Sequence, residues 1–225
     1  GTDRLTMRAL RRDRTESEDD FPNDVAELQH LLAPAQPNQA IVAMPGAGTE
    51  VPMWLLGSSL FSAQLAAQRG LPFAFASHFA PRMVLQAIDI YRRTFQPSAQ
   101  LAAPYVAIGV PLVAAPTDEE ADYLASSTYQ RVLGILTGKR GQLPPPKPDF
   151  LASLDPSAQA GIADFLAAAV IGSPDTVRAG LKQLATVTQA DEFLLVNDVY
   201  DADLRLRSLD IAALAARELN EVSAQ

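Results

Sequence analysis

Three residues in the run LLGSSLFSAQLAA have the types to hold an anion: Gly57, Ser58 and Ser59. A Gly-Ser-Ser turn between an apolar strand and a helix offers free backbone N–H groups, hydroxyls and the positive end of a helix dipole, which is what a phosphate requires. The same serines would serve equally to cap the helix. His78, one of two histidines, follows the apolar run PFAFA. Its imidazole is suited to bonding a ring or substrate, or to carrying a proton near neutral pH; a packed loop histidine is the alternative. His30 falls on an amphipathic segment and reads as structural or solvent-facing. Two isolated histidines without a carboxylate at ligand spacing argue against a dedicated metal site. The chain has no cysteine, so disulfides, thiolate metal sites and cysteine nucleophiles are all excluded.

The elements that must position these residues alternate strand and helix, the pattern of a parallel sheet covered by helices. A first helix is expected near Asn23–Leu32, with Val25, Leu28, Leu31 and Leu32 on one face. After the linker APAQPNQA, a buried strand at Val51–Leu56 runs into the GSS turn and a helix, Ser59–Arg69, punctuated by Gly70. Strand Pro72–Ala76 precedes a helix from Pro81 to Phe95, and strand Tyr105–Ala114 leads to a helix capped by Thr117, with Glu120 as its capping-box partner. GKRGQLPPPKPDF is a proline-rich excursion, followed by helices at Pro156–Ala169 and after Ser173, where Pro174 occupies the first helical position. Strand Glu192–Val196 and helix Ala202–Leu219 close the chain.

Parallel strands are therefore expected near residues 52–57, 72–77, 104–114 and 192–197, each feeding a helix. Four such units make half of an eight-stranded (β/α)8 barrel, whose active site lies at the carboxyl ends of the strands. Gly57–Ser59, His78 and Asp198 should share that end. Half a barrel leaves two unpaired edges and one bare apolar face, so something must complete it. Asp198 and Tyr200, in NDVYD, read as turn residues, and Trp54 as a core residue within its strand.

The chain is 225 residues long and 48% hydrophobic, enough for a single packed domain over residues 1–225. A formal net charge of -8 disfavours nucleic acid and anionic membranes as partners. No stretch approaches the roughly 18 apolar residues of a membrane span, and the Arg-rich opening has no signal core, so a cytoplasmic protein is expected. Gly1 reads as an interior position of a longer protein.

GTDRLTMRAL, PMWLLGSSLFSAQLAAQRGLPFAFASHFAP, GSPDTVRAGL and DEFLLVNDVYDADLRLRS together resemble the luciferase-like monooxygenase family, and within it the YhbW-like group. The resemblance runs in order over nearly the whole chain. It implies the C-terminal half, strands 5–8, of a bacterial luciferase-like TIM barrel, typically a homodimer. It also implies a flavin-dependent enzyme that uses reduced FMN and O2 on a small organic substrate, with the reduced flavin supplied by a separate flavin reductase. Arg8 falls where the family has an arginine on the FMN phosphate, and Ser59 and Ser62 fall on its hydroxyl contacts, with Ser58 and the Gly57 backbone beside them. A guanidinium grips such a dianion with two parallel hydrogen bonds. The LRLRS run matches without a chemical role, and its arginines read as ion pairs of the outer helix layer. The first four strands, with the usual catalytic histidine, are not in this sequence, so no catalytic base is named beyond His78. The alternatives are an F420-dependent oxidoreductase of the same superfamily, a non-catalytic FMN-binding protein, or a structural fragment.

Overall fold

The computed structural model describes residues 20–223, and the contacts of the chain gather into two compact units, residues 1–53 and 54–225. The first contains helix α1 (Phe21–Leu32), which opens with Pro22, where the missing N–H costs nothing, and with Asp24 at the positive end of the dipole. Of the residues expected on its apolar face, Val25 is buried, whereas Leu28 is exposed. Beyond the helix the chain loops back on itself, and the N–H groups of Gly48 and Glu50 both donate to the Leu32 carbonyl at 3.1 Å.

The second unit is an α/β fold with a parallel sheet. Its strands are β1 (Leu55–Gly57), β2 (Phe73–Phe75), β3 (Val106–Ala114), β4 (Val170–Gly172) and β5 (Glu192–Val196). Its helices are α2 (Leu60–Arg69), α3 (Val84–Thr94), α4 (Asp118–Leu136), α5 (Pro156–Phe165), α6 (Pro174–Thr188) and α7 (Ala202–Ser223). The order is β1-β2-β3-β4, with β5 also on β3, and every pairing is parallel. Nine-residue β3 is buried throughout and carries three partners, so it is the axis of the sheet.

The four expected strands are present in order. The fifth, β4, was not anticipated: its three residues end an alanine-rich stretch too short to display a period. β1 is also shorter than expected. Val51 and Trp54 are exposed, because Pro52 has no N–H to give a ladder. Trp54 is accordingly no core residue; it stands edge-on to Tyr105 with ring centroids 5.6 Å apart.

Register assigns the faces. Leu56, Ala74 and Ala107 lie abreast, as do Gly109 and Leu194. Alternation puts all five on one face and Phe73, Phe75, Val106, Ile108 and Val110 on the other. The second set is fully buried and packs with residues such as Tyr91 of α3, whose hydroxyl donates to the Leu71 carbonyl at 2.9 Å. On the first face, Leu56 is 67% and Leu194 50% exposed. At the carboxyl end of β3 that face is covered, because Val113 packs with Leu124, Tyr129 and Val132 of α4, Ile162 of α5 and Val199.

Long-range polar contacts set the helices. Thr117 caps α4 by accepting from the Glu120 N–H at 3.2 Å, but the Glu120 carboxylate turns away from the expected capping box to pair with Arg207 of α7. Ser173 occupies the N-cap of α6 without capping through its own side chain. Its N–H donates instead to Asp118 at 2.6 Å, and that bond, with the hydroxyls of Thr176 and Ser173, holds the Asp118 carboxyl below its ordinary range. The proline-rich excursion docks on α4 through Lys147 N–H to Ser126 Oγ, 2.7 Å, and the Gln130 amide to the Pro145 carbonyl, 2.9 Å.

Candidate active site

Three of the sequence-derived groups arrive at one end of the sheet. Gly57 ends β1, His78 follows β2 and Asp198 follows β5, and because all strands are parallel these are carboxyl ends. Arg8 lies outside the described residues.

Ser59 is the N-cap of α2, with its Oγ accepting from the Ser62 N–H at 3.5 Å, while Ser62 Oγ donates to the Ser59 carbonyl at 2.8 Å. The capping role is thus real, and it leaves Ser58 exposed on the turn. Ser62 is buried against Gly57: a Cβ at Gly57 would fall 2.1 Å from Ser62 Oγ. The strand end and the first helical turn are therefore in direct contact, a compact hydroxyl-bearing corner with the helix N–H groups behind it. The Gly57 carbonyl accepts from the Ala76 N–H at 2.9 Å, which fixes this corner to the end of β2.

His78 belongs to a second group. Fully buried Ser77 donates to the Gly109 carbonyl at 2.5 Å and so pins the end of β2 to the middle of β3. The next residue, His78, folds its ring over Gly109, where a Cβ would meet Nδ1 at 2.3 Å. Only glycine at position 109 leaves that space. Nδ1 is buried without a hydrogen-bond partner among the described residues. The ring of Phe79 lies beside the imidazole, with centroids 4.2 Å apart. Burial holds the His78 pKa below its ordinary value; the Arg131 charge pushes the same way and the Asp198 charge opposes it. The imidazole is therefore neutral at neutral pH, an acceptor at one nitrogen and a donor at the other.

Arg131 escaped the sequence reading, as did its pairing with Asp198. The two form an ion pair at 2.5 Å with both side chains about three-quarters buried. Asp198 is thus more than the turn residue its Asn/Asp-rich surroundings suggested, whereas Tyr200 is exposed, as a turn residue should be. Nothing local marks Arg131, which sits mid-helix and meets its partner only through the fold. Ser208 was missed for the same reason. Fully buried, its Oγ accepts from the Ala114 N–H at 2.8 Å and from the Asn197 amide at 2.7 Å, tying the ends of β3 and β5 to α7. Of the LRLRS arginines, Arg207 is in an interhelix ion pair, as expected. His30 is exposed. No group of three or more His, Cys, Asp or Glu suited to a metal occurs among the described residues, and no helix described is long and apolar enough to cross a membrane.

A parallel sheet with its polar side chains gathered at the strand ends, a serine-capped helix after one strand and a histidine after the next defines the class of protein. The profile of the family described as luciferase-like monooxygenase matches residues 6–190, and the chain belongs to that family. A curated luciferase-like monooxygenase of Escherichia coli (strain K12) is 43% identical over 219 residues, 97% of this chain and 65% of the relative. The crystal structure of apo-MsnO8 superposes with a TM-score of 0.78 at 31% identity, covering 96% of this chain and 65% of that one. The chain thus spans about two-thirds of the length of these relatives. An F420-dependent tetrahydromethanopterin reductase from Methanopyrus kandleri shares the fold alone, at a TM-score of 0.51 and 13% identity.

Proposed function

We propose that residues 1–225 are one domain, the C-terminal half (strands 5–8) of a (β/α)8 barrel, and supply the phosphate grip of an FMN-dependent monooxygenase. The whole protein would be a cytoplasmic homodimer acting with O2 on a small organic substrate and fed by a flavin reductase. The barrel reading is supported by Leu56 and Leu194, which stand 67% and 50% exposed on one sheet face. Among the described residues β1, β4 and β5 each have a single strand neighbour, so the sheet is open at its edges.

The observation that carries the cofactor assignment is the corner formed by Gly57, Ser59 and Ser62 at the head of α2, which the resemblance aligns with the family's phosphate contacts. The turn fits the group: Ser58 is exposed, and the first-turn N–H groups lie at the positive end of the helix dipole. Ser58, Ser59 and the backbone of the turn would bond the phosphate oxygens, with Arg8 supplying the charge. The flavin ring, when bound, supplies the oxygen chemistry. What falls to the chain is to orient the ring, keep water out and hold a neutral imidazole, that of His78, at the mouth.

Arg8→Ala, in protein spanning the full length of its relatives, should weaken FMN binding about tenfold or more, the equivalent of one charge-assisted contact of about 1.5–3 kcal/mol. Ser59→Ala should cost less, since backbone N–H groups remain. Fluorescence titration measures both, and unchanged affinity in the two variants sinks the assignment. The same titration with F420, if tighter than with FMN, would transfer the phosphate site to the deazaflavin.

A further inference from the structure

We infer that Arg131 and Asp198 are positioning residues for His78: their ion pair, clamped between α4 and the turn after β5, sets the orientation and charge of the imidazole that lies over Gly109. This rests on reading the carboxyl end of the sheet as the reaction site, and it adds to that reading two residues, one from α4 and one from the turn after β5.

The geometry is fixed from three sides. Ser77 anchors the backbone beneath His78 to β3 through the Gly109 carbonyl. The absence of a side chain at Gly109 lets the imidazole pack directly on the β3 backbone. β5 runs beside β3, with Leu194 abreast of Gly109 and Val196 abreast of Pro111, which delivers Asp198 just beyond the ring on the neighbouring strand. α4 folds over the same end, where Val132 joins the core that includes Val113 and Val199, and this brings Arg131 onto Asp198.

The other elements around the ring contribute no competing charge. β2 and β3 contain no ionisable residue. Arg82, which follows His78 on the connection to α3, is paired with Asp164 of α5. Arg131 and Asp198 are the charges that act on the imidazole, and they act in opposite senses. While both are present they oppose each other, and burial holds the ring's pKa below its ordinary value. Removing either one leaves the other uncompensated in a poorly solvated place, where a charge acts strongly.

That opposition gives the test a signature. The chain has two histidines, so the ring signals of His78 are identified in an NMR titration by comparison with His30→Gln, and the His30 signal serves as the internal control. Arg131→Gln leaves the Asp198 carboxylate alone with the imidazole and should raise the His78 pKa above that of the unaltered chain. Asp198→Asn, which keeps the shape of the side chain, should lower it further. Arg131→Lys keeps the charge and should restore most of the original titration, which a purely structural role for Arg131 would not achieve. Shifts of the same sign in the first two variants, or a His78 signal that neither moves, overturn the proposal. If Arg131→Gln fails to fold, the near-isosteric Asp198→Asn decides alone: a His78 pKa unchanged or raised refutes the clamp. No flavin enters this measurement, so failed FMN binding with the opposed shifts intact sinks only the cofactor reading, and unmoved signals with FMN binding intact sink only the clamp.

Discussion

Gly57 owes its place to Ser62. The sequence suggests a glycine that frees backbone N–H groups for an anion, but the structure adds a steric reason: a Cβ there would lie 2.1 Å from Ser62 Oγ and 2.4 Å from Ser62 Cβ. Gly57→Ala must push the first turn of α2 off the strand end, at the usual overpacking cost of about 1–3 kcal/mol. Urea unfolding measures the loss, and Ser62→Gly in the same chain should recover part of it. An unaltered midpoint for Gly57→Ala would show that the corner is looser than described. What was legible at this scale was local: Ser59 as a cap, Thr117 as a cap and the glycine between a strand and a helix all announce themselves within four residues. Arg131, Ser208 and the partner of Asp198 did not, because each pairing is made with a distant element. A mid-helix arginine or serine looks the same in sequence whether it faces water or completes a site.

Elements were read well where a period had room to develop. β5 was expected at Glu192–Val196 and is found there, and α2, α3 and β3 differ from expectation by a residue or a short leading 3-10 turn. Three-residue β4 had no such room, and it is held by pairing with Leu112–Ala114 of β3, a long-range fact. Cohesion between elements also depends on single side chains. Ser208 joins three of them: it lies on α7, takes the N–H at the end of β3 and takes the amide that follows β5. Ser208→Ala leaves a buried N–H and a buried amide without an acceptor, which costs about 1–3 kcal/mol. Thermal and urea unfolding should both report a loss of that size. The amide proton of Ala114 should also lose protection from hydrogen exchange; retained protection would mean that another acceptor replaces the hydroxyl.

At the scale of the molecule, the sheet has one face that its own helices bury and one whose edge leucines, Leu56 and Leu194, are exposed while its centre is buried. The residues along that second face are small in the centre, at Ala74, Ala107 and Gly109, and large at its two edges, where Leu56 and Leu194 stand exposed. The alternation of strand and helix was enough to suggest a parallel sheet covered by helices, whereas closure depends on pairing at the strand edges, which no local pattern displays. Leu56→Lys combined with Leu194→Lys separates the possibilities. In the 225-residue chain both side chains already meet solvent, so the pair should change unfolding free energy by no more than about 0.5 kcal/mol per site and should reduce self-association in light scattering. In protein spanning the full length of its relatives the same two positions would face the interior. There, two unpaired ammonium groups should cost about 3 kcal/mol or more, or prevent folding. Loss of folding in the short chain would mean that the face is already packed. Tolerance in both proteins would mean that the leucines never enter a barrel, and the closed (β/α)8 reading would fall with them.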